Sequence, residues 1–330
     1  MKKLLLSLLV VLGAYTSSHA QASLVATLSH EGETTAFYGA EAFKNALTAA
    51  ADEGDVITLS SGTFAAADIS KSVTIRGAGM SANQYGALPT VISGSLSMGS
   101  DNNTIEGIFF DNTVRVSGYT NNNNFFIKCR FKSFEHSGGG NAYNQHFLHC
   151  RIAESLYLPQ AASAIFSNCI INQLSGYGKY NVNNCIVLFV NVSNNRNPNQ
   201  ISNSSISNSI ICSNGTIGLS FASTVLLTSN VGNKEEFWTN SLQESNVTVD
   251  DLSAVIKDFA EVYTDDQAYK LTSTGAAYLG SDGTQVGIYG GNMAYDPTPT
   301  NPQITKAKVA SHSSADGKLS IELEVNGANH

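Results

Sequence analysis

Two short segments place basic side chains at alternating positions, and the second segment repeats the pattern of the first. Lys128, Arg130 and Lys132 alternate around one cysteine, and His149 and Arg151 alternate around the next. Side chains of these types can remove the proton beside a uronate carboxylate, and their charge attracts acidic sugars. We call these five residues the basic strip. It predicts either a site for an anionic glycan or the base of a catalytic centre.

The strip forms a surface only if the two segments stack, with Lys128 beside His149 and Arg130 beside Arg151. Stacked like charges repel unless an anion or a counter-ion lies between them. Screening by water, salt, Glu135 or Glu154 is the plainer alternative for an exposed surface. Two further histidines, His136 and His146, are expected on nearby loops.

A repeated phrase supports the stacking. A six-residue phrase recurs roughly every twenty residues, which is typical of a solenoid. It consists of an apolar residue, two variable residues, a small polar or Cys residue, one variable residue and a second apolar residue. The small central residue is preceded and followed by β-compatible sequence rich in Asn and Ser, which favours parallel coils over helical repeats. The predicted central row is Ile108, Cys129, Cys150, Cys169, Cys185, Ser209 and Asn230.

This pattern resembles the right-handed parallel β-helix of secreted bacterial proteins in the pectin-lyase-like superfamily. Further matches are 38–47, 54–59, 61–64 and 72–79 at the start, and 269–291 at the end. Residues 40–52 carry Phe43, Ala46, Leu47 and Ala50 on one helical stripe, which predicts a short capping helix. The expected fold is therefore an all-β right-handed parallel β-helix with an N-terminal cap.

The predicted organisation has four parts. Residues 1–20 have a basic start, an apolar core and a small-residue cleavage site, which is typical of a secretory signal peptide. Residues 21–295 form the β-helix domain, and residues 296–303 form a Pro-rich linker. Residues 304–330 form a β-hairpin tail that packs on the β-helix or on another chain, because a lone hairpin is marginal in water.

Composition limits the partners. Without Lys2 and Lys3 the formal charge of −8 becomes −10, so nucleic acid is a poor candidate partner. No later segment is apolar for long enough to predict a transmembrane helix. A signal peptide implies the periplasm, the cell surface or the extracellular space. A polysaccharide or cell-surface glycan is the expected ligand.

Four of the five cysteines occupy the central row. This position favours small buried side chains that replace the Asn ladder of related coils, although Cys129 and Cys150 would also come within disulfide range. Zinc is less well supported, because the cysteines lack a CxxC pair. The sequence therefore predicts no metal site.

The catalytic motifs of the resembled enzymes are missing from the sequence. Pectate lyases hold calcium with Asp residues, whereas residues 105–231 contain only four carboxylates, Glu106, Asp111, Glu135 and Glu154. The Arg-x-Pro motif at Arg196 lacks the second Arg of that family. The pairs at 250–251 and 265–266 follow the coils and are expected at the solvated surface.

Tyrosines beside the coil turns are a second set of candidate sugar contacts, because their rings can stack on sugars. They are Tyr143, Tyr157, Tyr177 and Tyr180. Tyr157 and Tyr177 join the five residues of the basic strip as the predicted glycan-binding set. A purely structural role at the coil edges is the alternative.

Three functions remain open. The first is an exported, non-catalytic β-helix that binds polysaccharide. The second is a polysaccharide lyase for a uronate-containing glycan, with Lys128, Arg130 or His149 as base and calcium as a cofactor under this alternative alone. The third is a structural or assembly protein that uses its tail to bind a partner protein.

Overall fold

The structure is a computed structural model. It describes residues 24–51, 54–82, 88–117, 121–137, 143–159, 161–191, 193–194, 197–198, 201, 203–212, 224–238, 241–260, 262–309, 312–314 and 316–326. The predicted signal peptide and Arg196 lie outside these residues. None of the described helices is long and apolar enough to span a membrane.

The elements alternate between short strands and turns along the chain. The first part contains β1 Val25–His30, β2 Glu33–Tyr38, α1 Ala42–Ala49, β3 Val56–Leu59, β4 Gly62–Ala65, β5 Thr74–Arg76, β6 Thr90–Ser93, β7 Leu96–Met98, β8 Thr104–Glu106 and β9 Ile108–Ser117. The middle contains β10 Phe125–Ile127, β11 Arg130–Ser137, β12 Gln145–Leu148, β13 Arg151–Leu158, β14 Ser163–Ser167, β15 Ile170–Gly176, β16 Lys179–Asn183 and β17 Ile186–Asn191. The last part contains β18 Ser193–Asn194, β19 Asn197–Pro198, β20 Ser205–Ser207, β21 Ile210–Ile211, β22 Leu226–Thr228, β23 Val231–Gly232, β24 Leu242–Glu244, β25 Val247–Thr248, β26 Gln303–Val309 and β27 Ile321–Asn326, with 3-10 turns at Glu235–Phe237, Leu252–Ala254 and Gly275–Ala277.

Two long sheets carry the fold. Sheet A contains 12 strands in the order β2-β1-β3-β5-β8-β10-β12-β14-β16-β20-β22-β24. Sheet B contains 11 strands, β25-β23-β21-β17-β15-β13-β11-β9-β6-β4 with β7 beside β9. From β8 to β25 each turn of chain adds one strand to each sheet, and the chain forms a parallel β-solenoid of about 8 turns. The stacking predicted from the repeated phrase is confirmed.

The core consists of equivalent side chains stacked along the axis. In sheet A the rings of Phe126, Phe147 and Phe166 lie one above the other, with centroids 4.9 Å and 4.6 Å apart. Parallel strands are about 4.8 Å apart, so identical residues in register must stack face to face. Phe131 and Phe134 from sheet B meet this column edge-on. The aromatic content of the repeats is therefore explained by the interior of the solenoid.

The central row points inward, as predicted, and forms a hydrogen-bonded ladder. The backbone N–H of Cys150 donates to Sγ of Cys169 over 3.4 Å, and that of Cys169 donates to Sγ of Cys185 over 3.3 Å. Further along, the N–H of Ser209 donates to Oδ1 of Asn230 over 3.0 Å. Sulfur, hydroxyl and amide oxygen thus fill the same acceptor position. The five cysteines form no disulfide with one another, and all five are buried.

The N-terminal end of the core is closed by α1 together with β1 and β2. The helix buries Phe43, Ala46 and Leu47, which confirms the capping helix within the predicted range 40–52. Strand β1 runs antiparallel to both β2 and β3. This antiparallel start was not predicted, because it lies before the first copy of the repeat.

Residues 250–260 and 262–301 run back along the outside of the solenoid, and we call them the strap. Apolar strap residues cover outward-facing residues of sheet B and make a second core, Met80, Ile170, Ile186, Leu188, Ile210, Cys212, Val231, Leu252, Val255, Ile256, Tyr269, Val286, Ile288 and Tyr295. The predicted linker also lies against the solenoid, since Nδ2 of Asn301 donates to the carbonyl of Gly77 over 2.9 Å. Pro299 is buried beside Gly79.

Strands β26 and β27 form a separate antiparallel hairpin. Ile304 is opposite Val325, and Val309 is opposite Ile321. Every residue from Ile321 to Val325 is exposed, on both faces of the strand. The described part of the solenoid therefore does not cover β27.

Candidate functional site

One residue of each turn between sheet A and sheet B has left-handed backbone. The φ angles are 52° at Lys128, 54° at His149, 50° at Asn168, 52° at Asn184 and 53° at Asn208. Asn tolerates this conformation well, but Lys and His adopt it rarely. Two members of the basic strip thus occupy positions where the backbone favours Asn or Gly.

The side chains of this left-handed row bind the strap. Nζ of Lys128 lies 3.1 Å from Oδ2 of Asp296 and donates to the carbonyl of Thr298 over 2.7 Å. Nε2 of His149 lies 3.0 Å from the carbonyl oxygen of Met293, which can only accept, so Nε2 carries a proton. Among the described residues, the side chains of Lys128 and His149 therefore contact the strap.

The two arginines of the strip are bound by the same segment. Nε of Arg151 donates to Oη of Tyr295 over 2.8 Å, and its Nη1 donates to the carbonyl of Asp265 over 2.5 Å. Arg130 pairs with the carboxylate of Asp265 and lies over the ring of Phe109, 4.1 Å from its centroid. Asp265 is exposed, as predicted, and the structure adds that it is a counter-ion of the strip.

The register predicted for the strip is confirmed, but its exposure is not. Arg130 pairs with Arg151 across β11 and β13. Lys128, His149 and Arg151 are only 8%, 7% and 8% exposed. The expectation of an open basic surface is wrong for these three residues, because the strap supplies the compensating charge and acceptors. Lys132 remains 47% exposed in its side chain and lies 3.8 Å from Glu154.

Burial shifts the pKa values of the covered groups. Loss of solvent lowers the pKa of His149, against its hydrogen bond to Met293. Burial alone would raise the pKa of Asp296, but hydrogen bonds from Thr298 and the Lys128 ammonium lower it below its usual value. At neutral pH the strap therefore meets a neutral His149 and an ionised Asp296.

The two histidines expected on loops lie on strands instead. His136 is in β11, faces the interior and has no hydrogen-bond partner on either ring nitrogen among the described residues. His146 is in β12 and faces outward, because its neighbours Gln145 and Phe147 face the core. The loop prediction is wrong for both residues.

The four candidate tyrosines differ in their exposure to solvent. Tyr180 is fully buried in β16 and donates its hydroxyl proton to the carbonyl of Ser175 over 2.5 Å. It is therefore not a surface for sugar stacking. Tyr143, Tyr157 and Tyr177 remain on the surface. The structure brings Tyr157 beside Glu135 on the outer face of sheet B, since these residues are direct neighbours in register.

The outer face of sheet A carries a group of apolar side chains that the sequence prediction missed. Phe125 is 42% exposed, and its ring lies parallel to that of His146, with centroids 4.3 Å apart and planes 9° apart. Ile165 follows in the same row, and Ile127 and Leu148 lie in the next row. We call these five partly exposed residues the sheet A platform.

A signal for this platform exists in the sequence. Strand side chains alternate between faces, so an inward Phe126 requires Phe125 and Ile127 to point outward. The same rule applied to Phe147 turns His146 and Leu148 outward. Stacking the three copies then assembles the platform.

The described residues contain no cluster of three or more His, Cys, Asp or Glu side chains that could hold a metal ion. Asp251, from the other acidic pair, accepts a hydrogen bond from the N–H of Ser253 and begins a 3-10 turn. The weak catalytic candidates Lys128, Arg130 and His149 are brought together by the fold, but each contacts the strap.

No protein-family model matches the chain, and neither a curated protein nor a solved structure does. The parallel β-solenoid and its register are therefore the basis for any functional inference.

Proposed function

We propose that this protein is an exported, right-handed parallel β-helix of the pectin-lyase-like kind that binds a polysaccharide without cleaving it. The binding surface in this proposal is the sheet A platform. The observation that carries it is the stacked pair of Phe125 and His146, which is partly exposed on the outer face of sheet A. Each ring turns one face to the other, and the surface of the pair that remains exposed is apolar enough to contact the C–H groups of a sugar ring.

Polar side chains next to the platform favour a carbohydrate over a purely apolar ligand. Ser167 follows Leu148 in the outward row, and Asn183, Ser207 and Thr228 continue it. Oγ of Ser207 donates to Oδ1 of Asn183 over 3.0 Å. Hydroxyl and amide groups in regular register can form hydrogen bonds with sugar hydroxyls. The platform side chains can at the same time contact the apolar face of the sugar ring.

The charge distribution favours a neutral glycan. Lys128, Arg130 and Arg151 are bound by strap carboxylates, a phenol and carbonyls, so they cannot meet an acidic sugar while the strap is in place. The chain as a whole carries a formal charge of −8, which repels polyanions. Tyr157 and Tyr177 form a second, smaller set of exposed rings on another side of the solenoid.

The lyase alternative has less support. A base must approach the sugar proton within hydrogen-bond distance. Lys128 and His149 lie under the strap, so the strap would have to leave before either could act. Assembly through the C-terminal tail, the third alternative, would use a different surface, the exposed hairpin.

Affinity electrophoresis of the mature protein through gels that contain neutral and acidic polysaccharides tests this proposal. We expect retardation by at least one neutral polysaccharide, with no reducing ends and no unsaturated uronate formed in solution. Absence of retardation by every polysaccharide would overturn the binding proposal. Unsaturated products from an acidic glycan, with or without calcium, would instead establish the lyase.

A further inference from the structure

A histidine and a buried carboxylate join the N-terminal hairpin, β1 and β2, to the first parallel strand. Nδ1 of His30, at the end of β1, lies 2.6 Å from Oδ1 of Asp55, the residue before β3. The other carboxylate oxygen accepts a hydrogen bond from the backbone N–H of Ala51, which follows α1, over 2.7 Å. One carboxylate thus connects the ends of β1 and α1 to the start of β3. We call His30 and Asp55 the cap pair.

The two partners of the cap pair differ in their contact with solvent. The side chain of Asp55 is only 4% exposed, whereas that of His30 is 47% exposed. The buried carboxylate needs its two donors, because a buried charge without hydrogen bonds is unstable. His30 can gain or lose a proton from water without leaving the pair. A charged imidazole adds Coulomb attraction to the hydrogen bond, and a neutral imidazole keeps the hydrogen bond alone.

Neighbouring charges favour the ionised state of both partners. Glu31 and Glu33, in the turn of the same hairpin, favour the charged imidazole of His30. Lys71, which lies before β5, donates to the carbonyl of Ala50, and its charge favours the ionised carboxylate. The charges on either side of the cap pair therefore strengthen the attraction while His30 is protonated.

We propose that the cap pair is a pH-sensitive switch, which holds the hairpin on the end of the solenoid while His30 is protonated and loosens it when His30 loses its proton. Strand β2 is the part that loosens. Ala26 and Leu28 fix β1 in the core, whereas every residue of β2 except Phe37 is exposed. In sheet A, β2 is the first strand and pairs with β1. The switch does not involve the sheet A platform, so it stands independently of glycan binding.

The directions of the two pKa shifts define the pH range of the switch. The hydrogen bond and charge of Asp55 raise the pKa of His30 above its ordinary value of 6.5. Its charge therefore contributes fully below pH 6.5, and that contribution is lost as the pH rises through the raised pKa. Burial alone would raise the pKa of Asp55, but hydrogen bonds from His30 and Ala51 lower it below its ordinary value of 3.8. The hairpin is therefore held most firmly between about pH 4 and pH 6.5.

NMR titration of the histidine side chains in the full mature chain tests the contact. We expect the pKa of His30 to lie above 6.5 in the wild type and to fall towards about 6.5 in Asp55→Asn. His146 is the internal control, because it lies further along sheet A and its pKa is lowered by burial. The pKa of His146 should be the same in both proteins. A His30 pKa that Asp55→Asn leaves unchanged would overturn the proposal.

Amide hydrogen exchange tests the opening of β2 itself. The observable is the protection factor of the β2 amides, which corrects for the intrinsic exchange rate at each pH. We expect it to fall about two- to fivefold more in the wild type than in His30→Gln between about pH 5.5 and about pH 8.5, the effect of losing a partly exposed ion pair. Gln is polar but cannot take up the proton. Equal changes in the two proteins would show that His30 does not control the hairpin.

Discussion

At the scale of single residues, the left-handed turn row explains why the basic strip is not an ordinary surface. His149 holds a backbone conformation that a β-branched residue adopts only with strain, whereas Asn occupies the same position in the next turns. We expect His149→Asn to lower the free energy of unfolding by less than His149→Val does, because Asn tolerates the left-handed backbone. We expect His149→Val to lower it by about 1–2 kcal/mol. Urea denaturation measures both, and equal values would contradict the argument.

Stability should also depend on pH through this histidine. The pKa of His149 is lowered in the folded protein by burial, so its contribution to stability is complete above the unfolded value of about 6.5. That contribution is lost as the pH falls through the folded pKa. We expect the urea midpoint of the wild type to fall more steeply below pH 6.5 than that of His149→Asn.

The cysteine row makes a further prediction about single residues. Complete burial raises the pKa of Cys150, Cys169 and Cys185, and thiolate is the reactive form. We expect no thiol to react with a water-soluble alkylating reagent in the native protein and all five to react after denaturation without a reductant. Fewer than five reactive thiols after denaturation would indicate a disulfide instead of the hydrogen-bonded row.

At the scale of elements, the strap determines which outward residues of the solenoid are exposed to solvent. Its second core buries Ile288 against the outer surface of sheet B. We expect Ile288→Ala to lower the free energy of unfolding by about 2–5 kcal/mol, because it leaves a cavity where the strap meets the solenoid. Limited proteolysis should then cut within residues 262–299 first.

The matched control for Ile288 is Val262→Ala in the same segment, since Val262 is 70% exposed. We expect this variant to keep wild-type stability and protease resistance. Equal losses for the two variants would mean that the strap is not held by the apolar contacts that we describe.

The coils could be predicted from the sequence, whereas the strap could not. The repeat fixes which residues stack, so the alignment of Arg130 with Arg151 follows from local sequence alone. The pairing of Arg130 with Asp265 joins residues far apart in the chain, and no periodic pattern marks it. Local propensity also gives no sign of which outward row another segment covers.

The sheet A platform also has one feature that could be predicted from the sequence and one that could not. The outward position of Phe125 follows from the alternation of a strand around Phe126. Its exposure could not be predicted, because the equally outward Ile170 and Ile186 of sheet B are buried under the strap. A sequence argument therefore gives the direction of a side chain more readily than its contact with solvent.

At the scale of the whole molecule, the described surfaces divide by role. The strap covers one side of the solenoid and neutralises most of the basic strip. The outer face of sheet A stays open and combines rings, aliphatic side chains and hydroxyls over successive turns. Strand β27 of the hairpin exposes a third surface, which is aliphatic on one side. This division separates the proposed glycan surface from the covered basic strip.

The central claim is that the sheet A platform binds the glycan. Its most direct test is the dissociation constant of the best neutral polysaccharide for Phe125→Ala, compared with Leu226→Ala and Tyr157→Ala. Leu226 is exposed in the same outward row, several turns away from the rings. We expect Phe125→Ala to raise the dissociation constant about tenfold, the loss of one aromatic anchor, with both controls within about twofold of wild type. Unchanged binding by Phe125→Ala, or a loss confined to Tyr157→Ala, would contradict the account.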